Sequence, residues 1–85
     1  MKLIKKNEGE YYDPPAHSNC YSTKKITPET GSQKLIVSHS YFLPNGGCDM
    51  GSAPVERIYH VLSGTLQVKG KNNDVYEVGP GDMIY

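Results

Sequence analysis

The clearest hydrophobic pattern in the chain is a strict alternation between residues 33 and 43. Side chains of an extended strand point alternately to its two faces. One face of this segment carries Leu35, Val37, His39, Tyr41 and Leu43. The other face carries Ile36, Ser38, Ser40 and Phe42. The alternation therefore predicts a strand over residues 33–43.

Shorter apolar segments repeat this pattern along the rest of the chain. They predict strands near Leu3-Ile4 and at residues 19–26, 56–62, 65–69, 75–78 and 83–85. Turn residues separate them, and no window of helix length keeps an apolar stripe free of Gly and Pro. This arrangement is typical of an all-β sandwich or barrel.

The turn residues have predictable roles. We expect Gly46-Gly47 and Gly64 to adopt positive φ at hairpin corners, because glycine alone does so without steric cost. Pro80 initiates a turn between two glycines. The Asp82 carboxylate is expected to accept hydrogen bonds from backbone N–H groups in that turn.

Length and charge limit the function classes. At 85 residues the chain is one domain with a thin core, and such domains often need a disulfide, a metal or a partner subunit. The nine basic and nine acidic residues cancel, which argues against a nucleic-acid partner. No apolar run is long enough for a membrane span or a signal peptide. We therefore expect a cytoplasmic protein with no membrane partner, in which Cys20 and Cys48 are free thiols.

Residues 44–85 resemble the first motif and the beginning of the second motif of the cupin family. The matching pieces, in chain order, are Pro44-Asn45-Gly46-Gly47, Tyr59-His60-Val61-Leu62-Ser63-Gly64 within residues 55–68, and Val78-Gly79-Pro80-Gly81-Asp82-Met83-Ile84-Tyr85. The strand at 33–43 fits the strand that precedes the first motif. The resemblance implies a double-stranded β-helix, that is, a jelly-roll barrel. We assign residues 1–85 to one cupin-like domain, with an N-terminal arm at 1–16 and the barrel at 17–85.

The metal ligands of most cupins have no counterpart in this chain. Counted back from Gly64, the family's Glu position falls on Arg57 and its paired His positions fall within residues 50–53. A guanidinium has no lone pair to offer a cation. We therefore predict no metal and no other cofactor from the resemblance. An atypical metal site formed by His17, His39 and Cys48, with Asp49 nearby, stays open.

Five residues are candidates for ligand binding: Arg57, Tyr59, His39, Tyr41 and Cys48. Arg57 and Tyr59 share one face of the predicted strand at 56–62, which the resemblance directs toward the barrel mouth. A cation in this position suits a small carboxylate or phosphate. The other interpretation is a surface arginine paired with Glu56 or Glu77.

The chain reaches Tyr85 within the opening of the second motif, so the resemblance implies a barrel without its last strands. Unpaired strand edges attract another chain, and we expect a homodimer. A longer parent product is the other interpretation. The favoured function is binding of a small molecule without a metal. The alternatives are a metal-dependent or acid–base cupin enzyme acting on a small organic substrate, and a structural module.

Overall fold

The computed structural model describes all 85 residues and is all-β, with 44% of the chain in strands. The seven strands are β1 (Glu10–Tyr12), β2 (His17–Ile26), β3 (Val37–Cys48), β4 (Tyr59–His60), β5 (Leu66–Lys69), β6 (Val75–Val78) and β7 (Met83–Ile84). Two short 3₁₀ turns, Pro28–Thr30 and Lys71–Asn73, are the only helical segments. The all-β prediction is confirmed. No helix is long and apolar enough to span a membrane.

The chain forms two compact units, Met1–Asp49 and Met50–Tyr85. The N-terminal unit holds one antiparallel sheet in the order β1-β2-β3. The C-terminal unit holds two antiparallel strand pairs, β4 with β7 and β5 with β6. None of these sheets closes into a barrel.

The connection from β2 to β3 begins with a turn that the sequence stabilises locally. The Thr30 hydroxyl accepts a hydrogen bond from the Thr27 N–H at 2.9 Å and donates one to the Thr27 carbonyl at 2.8 Å. Pro28 supplies the fixed φ that suits the first position of such a turn. Gly31 ends it with a φ of 107°, a conformation that favours glycine.

The interior of the N-terminal sheet is polar at its centre. Ser22 of β2 lies opposite Ser40 of β3, and their hydroxyl oxygens are 2.6 Å apart. Ser22 has none of its surface exposed. A buried hydroxyl needs a hydrogen-bond partner, and Ser40 is the partner that this register provides.

The Pro44-Asn45-Gly46-Gly47 segment corrects one prediction. It lies within β3 as a bulge rather than at a hairpin corner, because the register moves from Ser18↔Gly47 to Cys20↔Phe42. The positive φ belongs to Asn45, at 64°, and not to Gly46 or Gly47. Gly46 is required for a different reason, since a Cβ there would lie 2.5 Å from the Asn19 carbonyl oxygen.

The C-terminal unit follows the predicted strands at 65–69, 75–78 and 83–85 closely. β5 and β6 pair from Leu66↔Val78 to Lys69↔Val75, and β4 pairs with β7 through Tyr59↔Ile84. Gly64 adopts the predicted positive φ, at 75°, but it is not a hairpin corner, because β4 and β5 on its two sides do not pair. The prediction that the Asp82 carboxylate accepts a backbone hydrogen bond in this turn is also confirmed, because it accepts one from the Gly79 N–H at 3.0 Å.

Several strand boundaries differ from the predictions, and β2 begins at His17 rather than at residue 19. Residues 3–4 form no strand, and β1 at Glu10–Tyr12 pairs with β2 instead. The strand predicted at 56–62 is reduced to Tyr59–His60, and β3 begins at Val37 rather than at residue 33. Alternation in sequence shows which residues share a face, whereas a strand also needs a partner that its backbone can reach.

Candidate functional site

A half-open cavity of about 210 Å³ in the C-terminal unit is the first candidate site. Its lining consists of Arg57, Tyr59, Val68, Gly70, Tyr76, Ile84 and Tyr85. Aromatic and aliphatic walls with a few polar groups are typical of small-molecule sites. The volume lies below the range of about 300–1,000 Å³ for drug-sized ligands, which favours a small ligand.

The two strand pairs explain why these side chains meet. Tyr59 and Ile84 are direct partners across β4 and β7, and directly opposed residues of an antiparallel pair project to the same face. Val68 and Tyr76 are direct partners across β5 and β6 in the same way. Each pair thus contributes one aromatic and one aliphatic wall. Arg57 precedes β4 by two residues and lines the same cavity from outside the strand.

The charged group of the cavity is the Arg57 guanidinium. Glu56, one of the two carboxylates proposed to neutralise it, accepts a hydrogen bond from the Tyr85 hydroxyl instead. The cavity lining includes no carboxylate side chain. Arg57 is exposed at the cavity and makes no ion pair. The fork of its N–H donors matches the geometry of a carboxylate or phosphate.

The bond between Tyr85 and Glu56 changes the acidity of the phenol. The hydrogen bond to the Glu56 carboxylate, assisted by slight desolvation, raises the pKa of Tyr85 above its ordinary value. A carboxylate beside the hydroxyl disfavours a second negative charge. The phenol is therefore held in its neutral form as a wall of the cavity.

A second cavity, of about 390 Å³, lies on the acidic side of the same unit. Its lining consists of Tyr76, Glu77, Val78, Asp82, Met83, Ile84 and Tyr85. Glu77 and Asp82 give it two carboxylates and no cation, and Asp82 is engaged in the turn with Gly79. This cavity disfavours an anion, so the Arg57 cavity is the candidate for anion binding.

The other three predicted site residues belong to the N-terminal unit. His39 and Tyr41 lie on β3 with ring centroids 4.5 Å apart, and Tyr41 stacks on Tyr21, which stacks on Tyr11. Cys48 ends β3 opposite His17 and is an exposed free thiol. The structure thus brings Arg57 and Tyr59 together in one cavity, and it places His39, Tyr41 and Cys48 along one strand.

The residues considered for an atypical metal site do not come together in the structure. His17 and Cys48 are cross-strand partners, but His39 is opposite Thr23, six residues further along β2. At about 3.3 Å per residue, this offset is about 20 Å. No group of three or more His, Cys, Asp or Glu side chains converges in the structure. The Arg57 cavity likewise offers a guanidinium and phenols, a donor set that does not fit the metal of the cupin pattern.

Sequence reasoning missed part of the cavity. Val68 and Ile84 were predicted only as strand residues, and Tyr76 and Tyr85 only as members of a set of strand tyrosines, some of which were expected to line an apolar pocket. The sequence signal that could have found them is the Gly-Pro-Gly-Asp turn at residues 79–82. After this turn, β7 pairs with β4, which brings residues 83–85 beside residues 59–60.

Comparisons of the chain with protein-family models, curated proteins and solved structures give no match.

Proposed function

We propose that the protein is a cupin-like small-molecule-binding protein whose C-terminal cavity holds a small organic anion without a metal. The observation that carries this proposal is the position of Arg57. The chain has no other arginine, and this one lies in an aromatic cavity free of carboxylate side chains. A small aromatic or unsaturated carboxylate combines the two chemistries that such a cavity offers.

The jelly-roll assignment is part of the same proposal. It is supported by features of the C-terminal unit where the cupin resemblance is strongest. Gly64 and Gly81 adopt positive φ, and Asp82 closes the turn before β7. Both turns lie at positions where the cupin resemblance also has turns, although the strands that flank each of them pair with other strands.

Each wall of the cavity has a distinct role in this account. The guanidinium of Arg57 holds the carboxylate through charge-assisted hydrogen bonds, which are about twice as strong as neutral ones. Tyr59 and Tyr76 pack against the apolar part of the ligand, where aromatic contacts add to the burial of apolar area. The neutral hydroxyl of Tyr85 adds a polar wall without a negative charge of its own.

The first prediction compares benzoate with benzamide, which has the same ring and nearly the same size but no charge. We expect benzoate to bind at least about tenfold more tightly, because a hydrogen bond to a charged group is stronger than one to a neutral group. Isothermal titration calorimetry measures both affinities. Arg57→Ala is expected to abolish the preference.

Lys69→Ala is the matched control for that variant. Lys69 is in β5 of the same unit and carries the same charge, but it does not line the cavity. It should leave the preference for benzoate within about twofold of its original value, since Lys69 is exposed and alternates with the cavity-lining Val68, so its side chain projects from the other face of β5. Equal binding of benzoate and benzamide, or equal losses in the two variants, would contradict the proposal.

A further inference from the structure

The Tyr85 hydroxyl limits which anions suit the Arg57 cavity. A phenol has one proton to donate and lone pairs that accept. The proton of Tyr85 is donated to the Glu56 carboxylate, and Tyr85 is itself part of the cavity lining. The hydroxyl therefore has no proton left for a ligand, and it can only accept a hydrogen bond from one.

The charge of Glu56 holds the Tyr85 proton in this position. A hydrogen bond from a phenol to an ionised carboxylate is charge-assisted and about twice as strong as a neutral one. The raised pKa of Tyr85, caused mainly by this bond, agrees with a proton that stays on the phenol. No other side chain forms a hydrogen bond with the Tyr85 hydroxyl, so its lone pairs are open to a ligand.

A ligand carboxylate does not suit this acceptor. A carboxylate also only accepts hydrogen bonds, and the negative charge of Glu56 lies directly beside the Tyr85 oxygen. Arg57 offers the opposite chemistry, with a positive charge and five N–H donors. The carboxylate of a ligand therefore belongs at Arg57, and a different group, one that donates a hydrogen bond, belongs at Tyr85.

We propose that the ligand of this cavity is a small aromatic acid that carries a hydroxyl group in addition to its carboxylate. The hydroxyl donates to Tyr85 while the carboxylate binds Arg57, and the ring packs against Tyr59 and Tyr76. This inference rests on the proposed anion site and names the class of anion. It makes Tyr85 a specificity-determining residue and Glu56 a positioning residue that acts through Tyr85.

The experiment compares 3- and 4-hydroxybenzoate with benzoate and with 3- and 4-methoxybenzoate, by isothermal titration calorimetry at neutral pH. A methoxy group accepts a hydrogen bond but cannot donate one. We expect at least one hydroxy acid to bind about three- to tenfold more tightly than benzoate, which is the net effect of one hydrogen bond. Its methoxy counterpart should bind no more tightly than benzoate, and Tyr85→Phe should remove the advantage of the hydroxy acid.

Glu56→Ala tests whether the donated proton sets this preference. The substitution frees the Tyr85 proton for a methoxy oxygen, so the ratio of hydroxybenzoate to methoxybenzoate affinity should fall by at least about threefold. The ratio cancels the general gain in affinity that follows from removing a negative charge. Glu77→Ala is the matched control and should leave the ratio unchanged, because Glu77 is exposed in the same unit but does not line this cavity.

The outcomes separate this inference from the proposed function. If benzoate binds through Arg57 but neither hydroxy acid binds more tightly, the hydroxyl preference is overturned and the anion site stands. A preference that survives in Tyr85→Phe, or a ratio that is the same in Glu56→Ala and the unmodified protein, also overturns it. If none of the acids binds, the proposed function fails as well. Circular dichroism verifies that each variant is folded.

Discussion

At the scale of single residues, the hydroxyl pair of Ser22 and Ser40 shows how a thin domain organises its interior. Ser22 is the one residue of the chain with no exposed surface, and its hydroxyl is satisfied by Ser40 across the strands. Burying a polar group without a partner costs more than the bond itself contributes. The pair therefore favours the register in which these two residues meet.

This gives a prediction for stability. Ser40→Ala leaves the Ser22 hydroxyl buried without a partner and should lower the free energy of unfolding by about 1–3 kcal/mol. Ser22→Ala combined with Ser40→Ala removes both hydroxyls and should recover most of this loss. Urea unfolding at one fixed protein concentration measures all three proteins. If the double variant is less stable than Ser40→Ala, the interpretation of the pair is wrong.

A second residue-scale prediction concerns pH. The folded chain holds the Tyr85 proton more tightly than the unfolded chain, because the Glu56 carboxylate raises the pKa of Tyr85. The resulting stabilisation is fully present below the unfolded pKa of tyrosine and is lost as pH rises through the raised value. Glu56→Gln should return the pKa toward its ordinary value.

The measurement is an ultraviolet titration of phenolate formation, with Tyr85→Phe as the reference that identifies the signal of this residue. Tyr76 lines the same cavity without a carboxylate partner, so Tyr76→Phe serves as the control and should leave the late-titrating signal in place. A Tyr85 signal that titrates with the other tyrosines in the unmodified protein would contradict the role of Glu56.

At the scale of elements, the bulge of β3 has the most specific steric requirement. Gly46 lies against the Asn19 and Leu43 carbonyl oxygens, at 2.5 and 2.8 Å from where a Cβ would be. Both obstacles are backbone atoms, so the space cannot be opened by rotating a side chain. Gly47 differs, because nothing lies within 4 Å of its Cβ position.

Gly46→Ala is therefore expected to lower the free energy of unfolding by about 1–3 kcal/mol, the range for overpacking. Gly47→Ala is the matched control, and it should change stability by less than about 0.5 kcal/mol. Thermal and urea unfolding of the two variants provide the comparison. Equal effects of the two substitutions would mean that the bulge does not have the geometry described for it.

The elements also show how far sequence reasoning extends. Strands β5, β6 and β7 were predicted closely, because short apolar segments lie between strong turn signals at Gly64 and at residues 79–82. The bulge at residues 43–46 was predicted as a corner, since Asn-Gly next to Pro has the same local signature in either setting. Its distinguishing contact, with the Asn19 carbonyl, comes from a distant part of the chain.

In the candidate site, too, the features set by local spacing were predictable and those set by strand pairing were not. The shared phase of Arg57 and Tyr59 was visible in the sequence, because side-chain direction in an extended segment depends only on spacing. The contributions of Val68 and Tyr85 depend on which strands pair, and spacing alone does not determine pairing. The grouping of His39, Tyr41 and Cys48 with Arg57 relied on the cupin resemblance and stays a prediction.

At the scale of the whole molecule, the chain has little core of its own. Val78, with 4% of its surface exposed, is the only buried hydrophobic residue. Hydrophobic burial is the main favourable term in folding, so a chain with so little of it gains stability from whatever it binds. The ligand proposed at Arg57 acts in this way.

The central claim is that the Arg57 cavity binds a small organic anion, and a benzoate titration followed by NMR of the backbone amides tests it most directly. The account predicts saturable shifts concentrated at residues 57–59, 68–70, 76 and 84–85, all of which disappear in Arg57→Ala. Unsaturable shifts, or saturable shifts centred on residues outside this cavity, would contradict the claim.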